Sequence, residues 1–236
     1  AERAAMARGK AGGQEISRAV VVGGGTMGAS IAYALAGAGI HVALVEVSLA
    51  ALEKARTNVA GLYDEAVKRG KITAEAAANE QAVRLAFHVG YDALPRAEIA
   101  IEAAFEDMTV KRAIFARLDA ALPDTAILAT NTSYLAVNAV MEGALNLSRV
   151  LGLHFFSPAH VMKLLEVVRA KNTSDATMAT ALKLSARLKK IPVLAGVCDG
   201  FIGNRILTRY RQTTDLMLLE GAMPWQVDAA MRGFGM

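Results

Sequence analysis

The sequence predicts an α/β chain: a doubly wound, mostly parallel sheet, followed by helices alone. Three observations predict it. Apolar runs of strand length alternate with helix-period stretches from residue 18 to about residue 194. A glycine-rich turn joins the first run to the first helix. Beyond residue 199 the strand-like runs stop. Such alternation is what parallel pairing imposes, because each crossover must be long enough to hold a helix.

Composition narrows the classes. Of 236 residues, 54% are hydrophobic and 20% charged, which is globular and not disordered. The net charge of +4 comes from scattered Lys and Arg. That argues against nucleic-acid binding and suits an anionic small molecule. A single cysteine, Cys198, excludes a disulfide framework and a Cys-based zinc site, so no metal is expected. No apolar run reaches membrane-span length and the N-terminus lacks a signal-peptide core, so a soluble, intracellular protein is expected.

The elements follow in order. Residues 1–17, AERAAMARGKAGGQEIS, read as a lead-in: the tail of an upstream helix plus a Gly-containing linker, with nothing to bury. Ala19 to Val22 is the first strand, Met27 to Ala38 a helix that Gly39 can end, and His41 to Val45 a second strand closing on Glu46. That is one βαβ unit. Residues 49–69 are an amphipathic helix; after the break RGKIT a second helical piece starts near Thr73, an N-cap residue type. The pair predicts a helical hairpin projecting from the sheet. Further strand runs are Val83 to Val89, Ile99 to Ala103, Ile127 to Thr130, Val150 to His154, Leu164 to Val168 and Pro192 to Leu194, with helices over 107–121 and 174–189. From Gly200 on, FIGNRILTRYRQTTDLMLLEG is helical throughout, and Pro224 opens another helix. The expected division is a lead-in over 1–17, a dinucleotide-type domain over 18–198, and the start of a helical domain over 199–236. Both ends look cut, so a piece of a longer polypeptide is expected.

Gly23, Gly25 and Gly28 form G-x-G-x-x-G between a strand and a helix. The first glycine permits the tight turn, the second admits a pyrophosphate, and the third lets the helix pack on the strand. The helix N-terminus offers N–H donors and a positive dipole end. Glu46 follows Gly28 by 18 positions, near the roughly 20 that a ribose-binding acid requires. A Rossmann-type site for NAD is therefore expected. NADP is disfavoured, because its 2′-phosphate would face Glu46 with no Arg in the following VSLA.

A nicotinamide enzyme acting on an alcohol needs a base for the hydroxyl proton. Of four histidines, His41 and His88 sit far from the expected cleft, and His160 follows Pro158 in a turn. His154 ends a strand on the carboxyl side, where α/β proteins bind ligands. Glu166 interrupts the apolar run LLEVV on a neighbouring strand. A buried carboxylate needs a partner, and a His154–Glu166 dyad would supply one. Spacing alone leaves the dyad and a solvated strand charge both open.

GGGTMG, IEAAFED followed by VKRAIFARLD, TNTSYL, HFFSPAHVMKLLEVV and DGFIGNRIL, in this order, resemble the L-3-hydroxyacyl-CoA dehydrogenase family of fatty-acid β-oxidation. The likeness runs from about Arg18 to the end. The HFFSPAH form is similar to the dehydrogenase part of multifunctional enzymes carrying an enoyl-CoA hydratase. The resemblance implies His154 as catalytic base, Glu166 as its partner, Ser133 on the reacting oxygen and Asn204 at the substrate carbonyl. It places Thr26, Met27, Glu106, Lys111 and Asn131 in the cofactor site, and Ser157 with Ser133 and Asn204 at the substrate. Ser157 stands where short-chain members carry Asn, and Tyr134 where a small residue is common. Other readings stay open. Ser133 can cap a helix over 134–141, Asn204 its own helix, and Lys111 can be a solvated helix charge. The KRGK cluster, Lys68 to Lys71, is either a solvated hairpin tip or a contact for CoA phosphates. The implied activity is NAD-dependent oxidation of L-3-hydroxyacyl-CoA to 3-ketoacyl-CoA, in a homodimer or a larger enzyme. The implied compartment is cytoplasmic if bacterial, otherwise peroxisomal or the mitochondrial matrix. A dehydrogenase of free β-hydroxy acids and a non-catalytic NAD-binding module are the alternatives.

Overall fold

The computed structural model describes residues 12–236. Eight strands form one sheet in the order β3-β2-β1-β4-β5-β6-β7-β8. They are β1 (Arg18–Val22), β2 (His41–Glu46), β3 (Leu85–Val89), β4 (Ile99–Glu102), β5 (Ile127–Thr130), β6 (Val150–Phe155), β7 (Leu164–Arg169) and β8 (Ile191–Gly196). All neighbours pair in parallel except β6 and β7, which are antiparallel. The order reverses at β1, since β2 and β4 flank it. Crevices at such a reversal are where open α/β sheets bind ligands.

Helices α1 (Thr26–Gly37), α2 (Leu49–Lys68), α3 (Ala74–Arg84) and α6 (Asp175–Arg187) pack on one face of the sheet. Helix α4 (Met108–Ala121) and the short α5 (Val137–Val140) pack on the other. Strands β4 and β5 are buried along their whole length, and β1 from Ala19 on, as a sheet sandwiched between two helical layers requires. The helix starts follow local chemistry: Ser48, Thr73, Asp107 and Ser174 each accept a backbone N–H from the first turn of the helix that follows. After β8 come only α7 (Gly203–Leu219) and α8 (Pro224–Phe234), neither with a buried residue among those described.

Three expectations need correction. Residues 12–17 do bury surface: Ile16 is in the core, and the Gln14 N–H donates to Thr180 Oγ1 at 3.1 Å. They are tied to α6 and are not a loose lead-in; residues 1–11 lie outside the described residues. The apolar run from Val83 belongs partly to α3, which continues to Arg84, and Val83 itself is exposed. The hairpin α2–α3 rests on the sheet through Tyr63 and Ala77 and so does not simply project from it.

Candidate active site

A cavity of about 890 Å³ lies over the carboxyl ends of β1 to β4. Its walls include Gly23, Gly25, Thr26, Met27 and Glu46. The glycines divide the work as their positions demand. Gly23 has φ +91°, and a Cβ there would lie 2.9 Å from the Ala103 carbonyl oxygen. At Gly28 a Cβ would lie 1.7 Å from the Gly23 oxygen, so helix and turn meet only because the side chain is absent. At Gly25 a Cβ would meet nothing within 4 Å, because that position opens on the cavity. Gly25 is also the N-cap of α1 and supplies no side-chain cap, which leaves the first N–H groups of the helix for an anion. Glu46 turns toward the same turn, with Oε1 accepting the Gly24 N–H at 2.6 Å. Among the described residues, its remaining lone pairs are the only carboxylate acceptors on the cavity wall. Volume, free helix N-terminus and acid together fit a dinucleotide. Phe105, Tyr91 and Arg117 also line the cavity and carry no signal in the sequence.

Beside this cavity stands a buried polar network. Glu102, the last residue of β4, is fully buried. Lys111 Nζ donates to its Oε1 at 2.7 Å and its Oε2 at 2.9 Å, and Thr130 Oγ1 donates to Oε2 at 2.7 Å. Lys111 also meets Glu106 Oε2 at 3.2 Å. Lys111 is 1% exposed, so the reading of a solvated helix charge is corrected. Glu106 Oε1 in turn accepts Thr132 Oγ1 and the N–H groups of Ser133 (2.8 Å) and Tyr134 (3.1 Å). Burial pushes the Glu106 pKa upward, but Thr132, the Lys111 charge and the two N–H groups outweigh it, and the net shift is down. The carboxylate thus stays ionised and fixes the TNTSYL loop. Ser133 does not cap α5, whose N-cap is Ala136. Asn131 Oδ1 accepts the Phe155 N–H at 2.8 Å, tying the end of β5 to the end of β6. Glu102, Thr130 and Thr132 went unnoticed in the sequence. The signal was available, since Glu102 interrupts an apolar run as Glu166 does.

The antiparallel register sets His154 directly opposite Glu166. His154 Nδ1 lies 2.7 Å from Glu166 Oε2, and both residues are buried. An ionised carboxylate only accepts, so against it Nδ1 must carry the proton, and a neutral ring then has its lone pair on Nε2. Glu166 Oε1 takes the N–H groups of Ile202 (3.0 Å) and Gly203 (2.8 Å). The chain reaches it through Gly200 and Phe201, both at positive φ. His154 lies between Phe156 and Phe201, with ring centroids at 4.6 and 5.6 Å. Gly203 leaves room for Phe156, whose Cζ would be 2.9 Å from an added Cβ. Asn204 follows in the first turn of α7, half-buried and not its N-cap, which is Ile202. Ser157 is exposed on the turn after β6. His41 bonds the Val83 carbonyl at the far end of β2, away from these groups. Lys68 to Lys71 form the exposed tip of the hairpin, where Arg69 pairs with Glu65.

Two family models match the chain: the 3-hydroxyacyl-CoA dehydrogenase NAD-binding domain over residues 18–198, and the C-terminal domain of the same family over 200–236. The peroxisomal bifunctional enzyme of Danio rerio is 40% identical over 222 residues. The match covers 94% of this chain and 30% of that protein, so the chain spans about a third of that relative's length. Among solved structures, FadB2 of M. tuberculosis superposes with a TM-score of 0.90 at 33% identity, covering 94% of this chain and 79% of the other. The (S)-3-hydroxybutyryl-CoA dehydrogenase PaaH1 of Ralstonia eutropha gives 0.89 at 36%, covering 92% and 77%.

Proposed function

The chain belongs to the 3-hydroxyacyl-CoA dehydrogenase family, and from that premise we propose that it oxidises L-3-hydroxyacyl-CoA to 3-ketoacyl-CoA with NAD. The observation that carries the reading is the buried His154–Glu166 contact, in a fold whose β1–β4 carboxyl ends hold a cavity fitted to a dinucleotide. Gly23, Gly25, Thr26, Met27, Gly28 and Glu46 hold the cofactor, with Glu106, Lys111 and Asn131 shaping its far side. When bound, NAD supplies the acceptor for the hydride that leaves C3.

The chain's own residues handle the proton. His154 Nε2 takes it from the 3-hydroxyl, and the imidazolium that results sits against Glu166, whose charge offsets it. Ser133, on the loop fixed by Glu106, positions the reacting oxygen. Asn204 positions the thioester carbonyl from α7. Phe156 and Phe201 keep water from the ring, which strengthens the His154–Glu166 interaction. Residues 18–198 form the cofactor domain in this reading, and 199–236 open the helical domain that closes over substrate. The names of the relatives favour a place beside a second activity, for which a hydratase is the natural partner, since it would supply the 3-hydroxyl.

His154→Gln tests the assignment. Turnover should fall by at least about 10²–10⁴-fold, the range of general-base catalysis, while NADH binding by fluorescence is unchanged. The substrates to compare are acetoacetyl-CoA and free 3-keto acids. Unaltered turnover removes His154 from the role, and a preference for the free acid removes the acyl-CoA reading.

A further inference from the structure

We propose that Ser30 and His160 form a clasp that positions the turn between the two catalytic strands, and with it the acyl-CoA side of the site, on the helix that carries the dinucleotide turn. The inference rests on the reading of the chain as an acyl-CoA dehydrogenase.

Ser30 lies on α1, two residues beyond Gly28, and is buried. A serine inside a helix usually bonds a carbonyl of the preceding turn. This one is used across 130 positions of sequence instead. Its oxygen accepts the His160 N–H at 3.1 Å and meets His160 Nδ1 at 2.9 Å. The hydroxyl has one proton, and that proton goes to Nδ1 only when the ring is neutral with its own hydrogen on Nε2. The surroundings favour a neutral ring: burial first, then the charges of Lys71, Lys190 and Arg69, lower the His160 pKa. Tyr33, three residues past Ser30 on α1, meets the imidazole edge-on at 5.4 Å. Tyr33 in turn packs on Tyr63, whose hydroxyl donates to Glu80 at 2.6 Å, which brings in α2 and α3.

The other side of the turn is also tied. Lys190, just before β8, donates to the carbonyls of Ala159 and Met162, the latter at 2.7 Å. The turn over 156–163 links His154 on β6 to Glu166 on β7, and the β6–β7 ladder already sets their pairing. Ladder bonds do not fix where the exposed part of the turn, including Ser157, stands relative to the cofactor helix. The clasp does. It makes Ser30 and His160 positioning residues: neither belongs to the dyad, and both set the wall against which the acyl-CoA lies.

Full-length protein carrying Ser30→Ala, His160→Leu or His160→Asn decides the matter. The first two remove the side-chain bond; Asn offers its amide oxygen where Nδ1 stood. Ser30→Ala and His160→Leu should raise KM for acetoacetyl-CoA about tenfold, the worth of one or two neutral hydrogen bonds, with kcat and KM for NADH within about twofold. Amide hydrogen exchange over 157–163 should accelerate in the same two variants. His160→Asn should recover most of both effects. An unchanged KM with unchanged exchange overturns the clasp. So does a loss that falls equally on kcat and both KM values together with melting temperature, which would mark a structural residue only. If the unmodified protein turns over no acyl-CoA, the dehydrogenase reading fails and the substrate role of the clasp fails with it. Exchange over 157–163 then still reports separately whether the two residues hold the turn.

Discussion

Glu166→Gln changes one atom in a site where both carboxylate oxygens are already engaged. The carboxylate takes three donors: His154 Nδ1–H on one oxygen, and the Ile202 and Gly203 N–H groups on the other. Glutamine has one oxygen and one NH₂ to face them. If its oxygen turns to His154, the NH₂ confronts two part-buried N–H groups and leaves both without their acceptor, at about 1 kcal/mol each. If its oxygen stays on the backbone pair, the NH₂ faces Nδ1, which must then accept, and the ring proton moves to Nε2. The second arrangement costs less, and it is the tautomer without a free lone pair toward substrate. A buried imidazole trapped in that state loses up to about 10⁴-fold in kcat when a triad acid is amidated. A fall on the order of 10³-fold is expected here, with KM for NADH within twofold. The assay is NADH consumption with acetoacetyl-CoA, run beside a denaturation curve so that unfolding is not mistaken for lost chemistry. A folded variant with kcat within about fivefold of the parent would refute the claim that Glu166 sets the tautomer of His154.

Gly25→Ala should leave the melting temperature within a few degrees, because a Cβ there meets no protein atom within 4 Å, while NADH affinity falls at least about tenfold as the pyrophosphate loses its approach; equilibrium fluorescence titration measures both variant and parent, and unchanged affinity would remove Gly25 from the cofactor site. Lys111→Met should cost about 3–5 kcal/mol in urea unfolding, since it strands Glu102 as a buried charge. Adding Glu102→Gln should return much of that stability, and a double variant no better than the single contradicts the pairing. Glu106 has its folded pKa depressed, so the stability it contributes is present above the ordinary carboxylate value of about 4.3 and is lost as pH falls through the folded value. Glu106→Gln should therefore flatten the acid side of the stability–pH curve, and an unchanged slope would count against its bonds to the TNTSYL loop.

What could be read from sequence was what local chemistry decides. The turn from Gly23 to Gly28 is legible because the positive φ of Gly23 is local and the approach of Gly28 to the Gly23 oxygen spans only five positions. Thr73 caps α3 for the same reason. Features that depend on distant partners were not legible. Val83 looks like a strand residue but ends a helix, because apolar character alone does not separate the two in a short run. Lys111 looks like a surface charge until β4 brings Glu102 beneath it. The side-chain bonds that pin the 156–163 turn come from α1 and from the segment before β8, more than 25 residues away. The direction of β7 is likewise a property of the whole sheet: nothing in LLEVV says that it runs against β6, and only that direction puts Glu166 opposite His154.

That geometry also explains why a carboxylate stands in an apolar strand. An ion brought into the interior carries a penalty of several kcal/mol, and burying an ion pair seldom improves on packing two apolar side chains in its place. A leucine at position 166 would complete the run LLLVV and would ask nothing of Ile202 or Gly203. The fold instead spends a left-handed Phe201 and a glycine at 203 to deliver two N–H donors to one oxygen, leaving the other for His154. Strand pairing needs none of this, and neither does the core. The arrangement makes sense as support for an imidazole that must be neutral with its Nε2 free at one moment and positively charged at the next. On that reasoning the fold would gain stability from an apolar pair at 154 and 166, and the proposed reaction would lose its base.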